Sequence, residues 1–239
     1  MKFDIKQGLN FIKYNGVSGV LSKVRYRMSG PGLAYNGWYK DKHAVDEEEL
    51  IRERETQFVY SPKISILVSV YMTPEFFLRS MIESVINQTY ENWELCIVDG
   101  SQAQDDTLPE EPSVYEHVYS LETEKTIRQY AENDSRIKYL LLEENLGIAE
   151  NTNRALAMAD GDFIALLEHD DILTENALFS FVEAMQETSY DILHSDEDKM
   201  SEDGTKFSDP ALKPDFSVDL LKRNSVLEAL RPALFSFML

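Results

Sequence analysis

Between Gly161 and Asp171 the chain reads Gly-Asp-Phe-Ile-Ala-Leu-Leu-Glu-His-Asp-Asp, and no other stretch restricts the fold as much. The mostly apolar run from Asp162 to Leu167, bounded by glycine and by charge, predicts a strand buried on both faces. Such a strand belongs in the middle of a parallel sheet with helices over it. It ends in Glu168, Asp170 and Asp171, three carboxylates within four positions. Side chains alternate along a strand, so Glu168 and Asp170 fall on one side and Asp171 on the other unless the chain turns. Gathered carboxylates repel one another, and their hard oxygens suit Mg2+ or Mn2+ that keeps waters and bridges phosphates. The plainer alternative is an acidic loop that caps the strand and leads into a helix.

The rest of the chain repeats the alternation of strand and helix. Ile64–Val70 predicts a first strand. Thr73-Pro74 then predicts an N-cap with proline at the first helical position. Leu78, Met81, Ile82, Val85 and Ile86 follow at helical spacing, ending near Gln88. Glu94–Val98 is a second strand closing on Asp99-Gly100-Ser101, which completes a right-handed βαβ unit. Gln102–Ser113 reads as a loop, Ser113-x-x-Glu116 as a capping box and Leu121–Glu132 as a helix. Ile137–Leu142 is a third strand, and Asn145-Leu-Gly147 a turn before a helix marked by Ile148, Thr152, Ala155, Leu156 and Ala159. Beyond the acidic stretch, Thr174 predicts the cap of a helix with Leu178, Phe181, Val182 and Met185 inward. A fifth strand, Asp191–His194, runs into Ser195-Asp-Glu-Asp-Lys199.

At 239 residues, 43% of them hydrophobic, the chain has room for one α/β domain and an appendage. A formal charge of -20 argues against nucleic-acid partners. The first 43 residues nevertheless carry about +6, leaving near -26 for the rest. In residues 1–30, Ile5, Leu9, Ile12, Val20, Leu21 and Val24 recur at roughly helical spacing among Lys and Arg. That leaves two readings open: a helix lying peripherally on an anionic membrane surface, or a helical appendage packed on the main domain. Ser29-Gly-Pro-Gly32 reads as a linker, and Asp46 with the three following Glu as a capped helix start. The lone Cys96 sits in an apolar run, where a buried, inert thiol is expected, and one cysteine permits no internal disulfide. No signal-like segment appears, and nothing reaches the ~18–20 apolar residues of a membrane span, so a cytoplasmic location is expected.

Three strands therefore end in polar or acidic motifs: Asp99, the Glu168–Asp171 cluster and Asp196–Asp198. In an open α/β sheet, ligands lie at the carboxyl ends of strands, near the point where strand order reverses. Rival motifs fail. No phosphate-binding loop ending in Gly-Lys-Ser/Thr and no Gly-x-Gly-x-x-Gly follows the first strand. Asp196-x-Asp198 lacks the calcium-loop glycine, and His43, His117, His169 and His194 lack zinc-like spacing. His169 reads as a supporting or packing residue.

Taken together, Ser65-Ile-Leu-Val-Ser-Val-Tyr71, Asn87-Gln-Thr-Tyr-Glu-Asn-Trp-Glu94, Val98-Asp-Gly-Ser101, Asn145-Leu-Gly147 with Asn151 and Gly161, and Leu166-Leu-Glu-His-Asp-Asp171 resemble glycosyltransferase family 2. Ser195–Lys199 and Lys213-Pro-Asp-Phe-Ser217 further resemble its bacterial polysaccharide, rhamnosyltransferase-like branch. The resemblance implies a GT-A fold: α/β, Rossmann-like, a mostly parallel sheet with flanking helices, here with a helical N-terminal appendage. It implies a donor of the UDP- or dTDP-sugar type and a glycan or cell-surface polysaccharide acceptor. Val70 and Tyr71 would line the nucleotide pocket, Asp99 would hydrogen-bond the base, and Gly147, Asn151, Glu168 and Asp170 would contact the donor. Asp170 and Asp171 would hold Mg2+ or Mn2+.

Two departures follow from the same comparison. Glu168 stands where the family usually has Asp. The family's general base usually lies in a later acidic motif, expected beyond Leu239, leaving Asp196 and Asp198 as the remaining candidates, better read as acceptor-side or structural acids. The expected organisation is an extension and linker over 1–60, a nucleotide-sugar domain over 61–224 and an apolar tail over 225–239. The tail matches nothing, the acceptor region reads as incomplete, and the expectation is donor binding better than transfer, with self-association through the tail. A non-catalytic binding or interaction module of a larger transferase is the second reading. A nucleotidyltransferase would want a basic, glycine-rich loop after the first strand, which Met72–Phe76 does not supply.

Overall fold

The strand expected at Ile64–Val70 (β1) spans those residues in the computed structural model and forms the spine of a six-stranded sheet. The structure describes Tyr35 and residues 46–101, 114–201, 206–211 and 229–230; for 114–121 and 229–230 it describes the backbone. On one side β1 pairs in parallel with β2 (Trp93–Asp99), which pairs in parallel with β3 (Ile137–Leu141). On the other side β1 pairs in parallel with β4 (Phe163–Leu166). A short strand, β8 (Ala229–Leu230), runs antiparallel between β4 and β5 (Ile192–Leu193), giving the order β3-β2-β1-β4-β8-β5.

Strand alternation sorts the core into two halves. Ile64, Ile66, Val68 and Val70 meet Leu78, Met81, Ile82 and Val85 of helix α2 (Glu75–Ile86) and Leu178 and Val182 of α5 (Ala177–Glu187). Leu67, Cys96, Val98 and Ile164 meet Ala155 of α4 (Ile148–Met158) on the opposite face. Each fully buried Val, Ile or Leu contributes roughly 1.5–3 kcal/mol, so packing on both faces outweighs the weak propensities of the short helices. Cys96 is buried, and burial pushes its thiol up to about 12.

The chain forms two compact units, one of residues 46–194 with 216–239 and one of 1–45 with 195–215. Helix α1 (Glu47–Glu55) belongs with the sheet, and the hairpin of β6 (Glu197–Met200) and β7 (Phe207–Ala211) belongs to the other unit. Asp46 caps α1 as expected, accepting the Glu49 N–H at 2.8 Å. Two expected caps are corrected. Helix α2 starts at Glu75 with Pro74 itself in the cap position, and the Thr73 hydroxyl is buried without a hydrogen bond. Helix α5 starts at Ala177 after Asn176, while Thr174 contributes only its carbonyl, to the Ala177 N–H at 3.0 Å. In α5, Phe181 packs half-buried against the core as expected, and Phe179, not singled out, is buried more fully. Helix α3 (Val114–Asn133) begins seven residues before the expected Leu121. The Ser113 capping residue, the loop before it, the segment 1–30 with its linker, and the tail other than Ala229–Leu230 lie outside the described residues.

The amino ends of the central strands meet at a charged cluster. Glu94, 1% exposed, accepts the Ser65 hydroxyl at 2.6 Å and the Asp160 N–H at 2.7 Å through Oε1. Its Oε2 lies 2.6 Å from Lys63 Nζ and 2.8 Å from Lys138 Nζ. Both lysines also pair with Asp160. Gly161 passes so close to β1 that a Cβ there would lie 2.6 Å from Ser65 Oγ and 2.7 Å from the Lys63 carbonyl. Two of its three close contacts are backbone atoms. Gly161→Ala is therefore expected to destabilise the fold by about 1–3 kcal/mol, the usual range for overpacking, measured by urea denaturation.

Candidate functional site

Strand order reverses beside β1: β2 and β3 follow one another to one side, and β4 returns on the other. All four strands are parallel, so their carboxyl ends share one edge of the sheet. At that edge stand Tyr71 after β1, Asp99-Gly100-Ser101 after β2, Asn145–Gly147 after β3 and the acidic stretch after β4. Strand spacing puts the β2 and β4 ends roughly 10 Å apart, with β1 between them.

The acidic stretch turns rather than continuing as a strand. Leu167 N–H still reaches the Leu67 carbonyl at 3.2 Å, and the Asp171 N–H then folds back to the Glu168 carbonyl at 3.3 Å. The chain therefore turns there, the case in which the two-sided alternation of Glu168, Asp170 and Asp171 was not expected to hold. All three are exposed. His169 is half-buried between them, its Nδ1 without a hydrogen bond and 3.9 Å from Asp170 Oδ1. Among the described residues no three His, Cys, Asp or Glu side chains are gathered closely enough to hold an ion by themselves. Exposed hard-oxygen donors on a turn fit Mg2+ or Mn2+, which take one or two carboxylates and complete their shells with water and phosphate.

The nucleotide side is more tightly built. Asp99 is 0% exposed. Its Oδ1 accepts the Ser101 N–H at 2.8 Å, and its Oδ2 accepts the Tyr139 hydroxyl at 3.0 Å. Burial raises the Asp99 carboxyl above its usual range, against these hydrogen bonds, and burial followed by the neighbouring Asp99 raises the Tyr139 phenol. The Ser101 hydroxyl accepts the Met72 N–H at 2.9 Å, and Gly100 N–H reaches the Val70 carbonyl at 3.0 Å. Asp99 thus faces inward and ties the exit of β2 to β3 through Tyr139, while Ser101 and Gly100 tie that exit to the end of β1. Val70 is likewise wholly in the core, whereas Tyr71 is 39% exposed. Met72 adopts φ 51, so the exit of β1 is a turn that this network holds.

Gly147 takes φ +83 at the start of α4, a conformation that favours glycine. Asn145 Oδ1 accepts the Gly147 N–H and the Asn151 side-chain amide, both at 3.0 Å. The backbone donor fixes the orientation of Asn145, which in turn requires the Asn151 nitrogen to face it. Asn151 is 1% exposed, and its Oδ1 is left without a donor. A Cβ on Gly100 would lie 3.1 Å from Asn145 Oδ1 and 3.2 Å from Asn151 Nδ2, so the absence of a side chain there leaves room for both amides. Tyr139 was not singled out by sequence reasoning, and Ser101 was named only as part of the motif Val98-Asp-Gly-Ser101. Nothing in the local pattern distinguishes a strand tyrosine that packs from one that holds a carboxylate.

Asp196 and Asp198 lie in the other unit, where Asp198 accepts the Tyr35 hydroxyl at 2.8 Å. No helix among the described residues is long and apolar enough to cross a membrane.

Residues 65–110 and 120–219 match Glycosyl transferase family 2. An uncharacterized protein, y4gI, of Sinorhizobium fredii is 35% identical over 202 residues, 81% of this chain and 20% of that protein. The O-antigen biosynthesis protein RfbC of Myxococcus xanthus is 33% identical over 162 residues, 67% of this chain and 11% of its own length. The chain thus spans a fifth or less of these two relatives. The crystal structure of S. aureus TarS 1-349 in complex with UDP-GlcNAc aligns over 74% of this chain and 47% of that one, with a TM-score of 0.52 at 19% identity. The likeness shows the fold, which is GT-A. With more than half of its residues on the family pattern, the chain belongs to glycosyl transferase family 2.

Proposed function

We propose that this chain is the donor-binding part of a metal-dependent glycosyltransferase, moving a sugar from a nucleoside diphosphate to a glycan or cell-surface polysaccharide. The observation that carries the reading is the acidic turn at the carboxyl end of β4, beside β1, where strand order reverses. The name of the O-antigen relative supports the acceptor class, and the UDP-GlcNAc complex of TarS supports a nucleotide-sugar donor.

In this reading the base and ribose lie over the loops after β1, β2 and β3, with Tyr71 offering an exposed ring and Gly147 an approachable backbone. Asp99 acts through Ser101 and Tyr139, fixing the loop that meets the base. Asp170 and Asp171 hold the metal, with Glu168, whose longer side chain can reach through water, beside them. Mg2+ or Mn2+, when bound, supplies positive charge against the diphosphate as it leaves. Asp196 and Asp198 are the candidates within the chain for acceptor-side acids. The Tyr35 contact favours a structural role for Asp198. A binding module without turnover is the second reading.

The test is calorimetric titration of UDP, dTDP and UDP-sugars with Mn2+ and with chelator. Nucleotide binding strengthened by metal supports the reading, and affinity unmoved by metal overturns the metal assignment. In the same assay Asp99→Ala is expected to weaken UDP binding about 10-fold with and without Mn2+ alike. It leaves the Tyr139 hydroxyl and Ser101 N–H without their acceptor and frees the loop. A loss confined to the Mn2+ arm would refute that division of labour.

A further inference from the structure

The segment Asn87-Gln88-Thr89 follows α2 and carries no charge, yet Gln88 and Thr89 are each only 3% exposed. The Gln88 amide is fully used. Its Nε2 donates to the Ser84 carbonyl at 2.9 Å and to the Thr174 carbonyl at 2.7 Å, and its Oε1 accepts the Leu178 N–H at 2.9 Å. Two carbonyls on one side and an N–H on the other leave a single sensible orientation. Thr89 N–H donates to the Glu175 carbonyl at 2.8 Å, and the Ser84 hydroxyl accepts the Leu173 N–H at 3.2 Å. Every residue from Leu173 to Glu175 thus has a backbone group held from the end of α2. Those residues are the exit of the acidic turn, since only Ile172, 43% exposed, separates Asp171 from Leu173. At the entrance, β4 is held by β1 as far as Leu167. The carboxylates of Glu168, Asp170 and Asp171 therefore stand on a short loop with both ends fixed.

We propose that Gln88, assisted by Ser84, is a positioning residue for the acidic turn, setting its carboxylates in advance for a metal-bound diphosphate. The inference rests on the reading of that turn given above. A turn released at its exit would have to be ordered on binding, and that cost is subtracted from affinity. The loss falls on the metal-linked part of binding, because the loops that meet the base are held by other contacts, those of Asp99, Ser101 and Asn145.

The experiment compares the unmutated chain, Gln88→Leu and Ser84→Ala. UDP is titrated with Mn2+ and with chelator, and free Mn2+ is counted by paramagnetic resonance in the presence of UDP. Gln88→Leu is expected to lose about 10-fold of the gain that Mn2+ brings to UDP affinity, in the range found when outer partners of metal ligands are removed. Its affinity in chelator should stay within about twofold, and Ser84→Ala should lose about threefold of the same gain. A folded Gln88→Leu that keeps the whole gain overturns the proposal alone. So does an equal loss in both arms, which would mark a general structural role. If Gln88→Leu does not fold, Ser84→Ala decides: a reduced gain supports the proposal and an intact one overturns it. No gain in the unmutated chain overturns the reading of the acidic turn, and this proposal with it.

Discussion

Asp170→Asn is expected to lower UDP affinity in Mn2+ about 100-fold, or ~2.7 kcal/mol, down to the level the unmutated chain shows in chelator. Asparagine keeps the volume and one oxygen of aspartate but loses the charge that a hard divalent cation requires. The side chain is exposed on a turn, so the substitution should move stability by no more than about 0.5 kcal/mol. Binding and folding effects thus separate cleanly. Equal UDP affinity of both proteins in Mn2+ would remove Asp170 from the metal site and move attention to Asp171 and Glu168.

The second large effect lies at the other end of the sheet. Glu94→Leu is expected to cost about 3–5 kcal/mol, the range for breaking a buried ion pair by removing one partner. The Ser65 hydroxyl and Asp160 N–H lose their acceptor inside the protein, and two lysines each lose one of their two carboxylate partners, keeping Asp160. The lysines are about a third exposed, and water can take over part of their solvation, which places the cost toward the lower end. Acid should show the same dependence. Burial acts to raise the Glu94 carboxyl, but Lys138, Lys63, Ser65 and the Asp160 N–H together hold it below the ordinary value of 4.5. A carboxyl lowered on folding contributes stability above its unfolded value and loses it as pH falls through the folded one. The contribution of Glu94 should therefore fade below about pH 4.5. Asp99 and Glu53 are raised by burial, so they act in the opposite sense and relax as they take up protons. Urea denaturation between pH 7 and pH 3 should show a steep acid limb in the unmutated chain and a shallower one in Glu94→Gln. Parallel limbs would show that Glu94 is not what acid attacks.

Much of this arrangement was legible in the sequence, and the reasons are specific. The central strands could be read because burial on both faces leaves an unbroken apolar run, as at Ile64–Val70. The acidic turn could be read because three carboxylates within four positions end an apolar run abruptly. Caps were less legible. Thr73 and Thr174 have the right side chains in nearly the right places, but Pro74 sets the start of α2, and the Thr174 carbonyl is claimed by Gln88. Asp99 was read, through the family resemblance, as hydrogen-bonding the base, and its internal bonds were not read. Its use as an internal tie depends on Tyr139, 40 residues away, which no local pattern connects to it. Glu94 was read only as the edge of a strand. Its partners Lys63, Lys138 and Asp160 are brought to it by three different strand connections.

The short strand β8 has a consequence for how the chain is made. Ala165 of β4 is matched with Ala229, so roughly 60 residues must be synthesised after β4 before its outer edge can be covered. At about 5–20 residues per second, β4 stays uncovered on that side of the nascent chain for several seconds. During that interval an apolar strand with open backbone groups is available to any other unfinished strand nearby. Slowing translation between codons 170 and 229 should therefore lower the soluble yield.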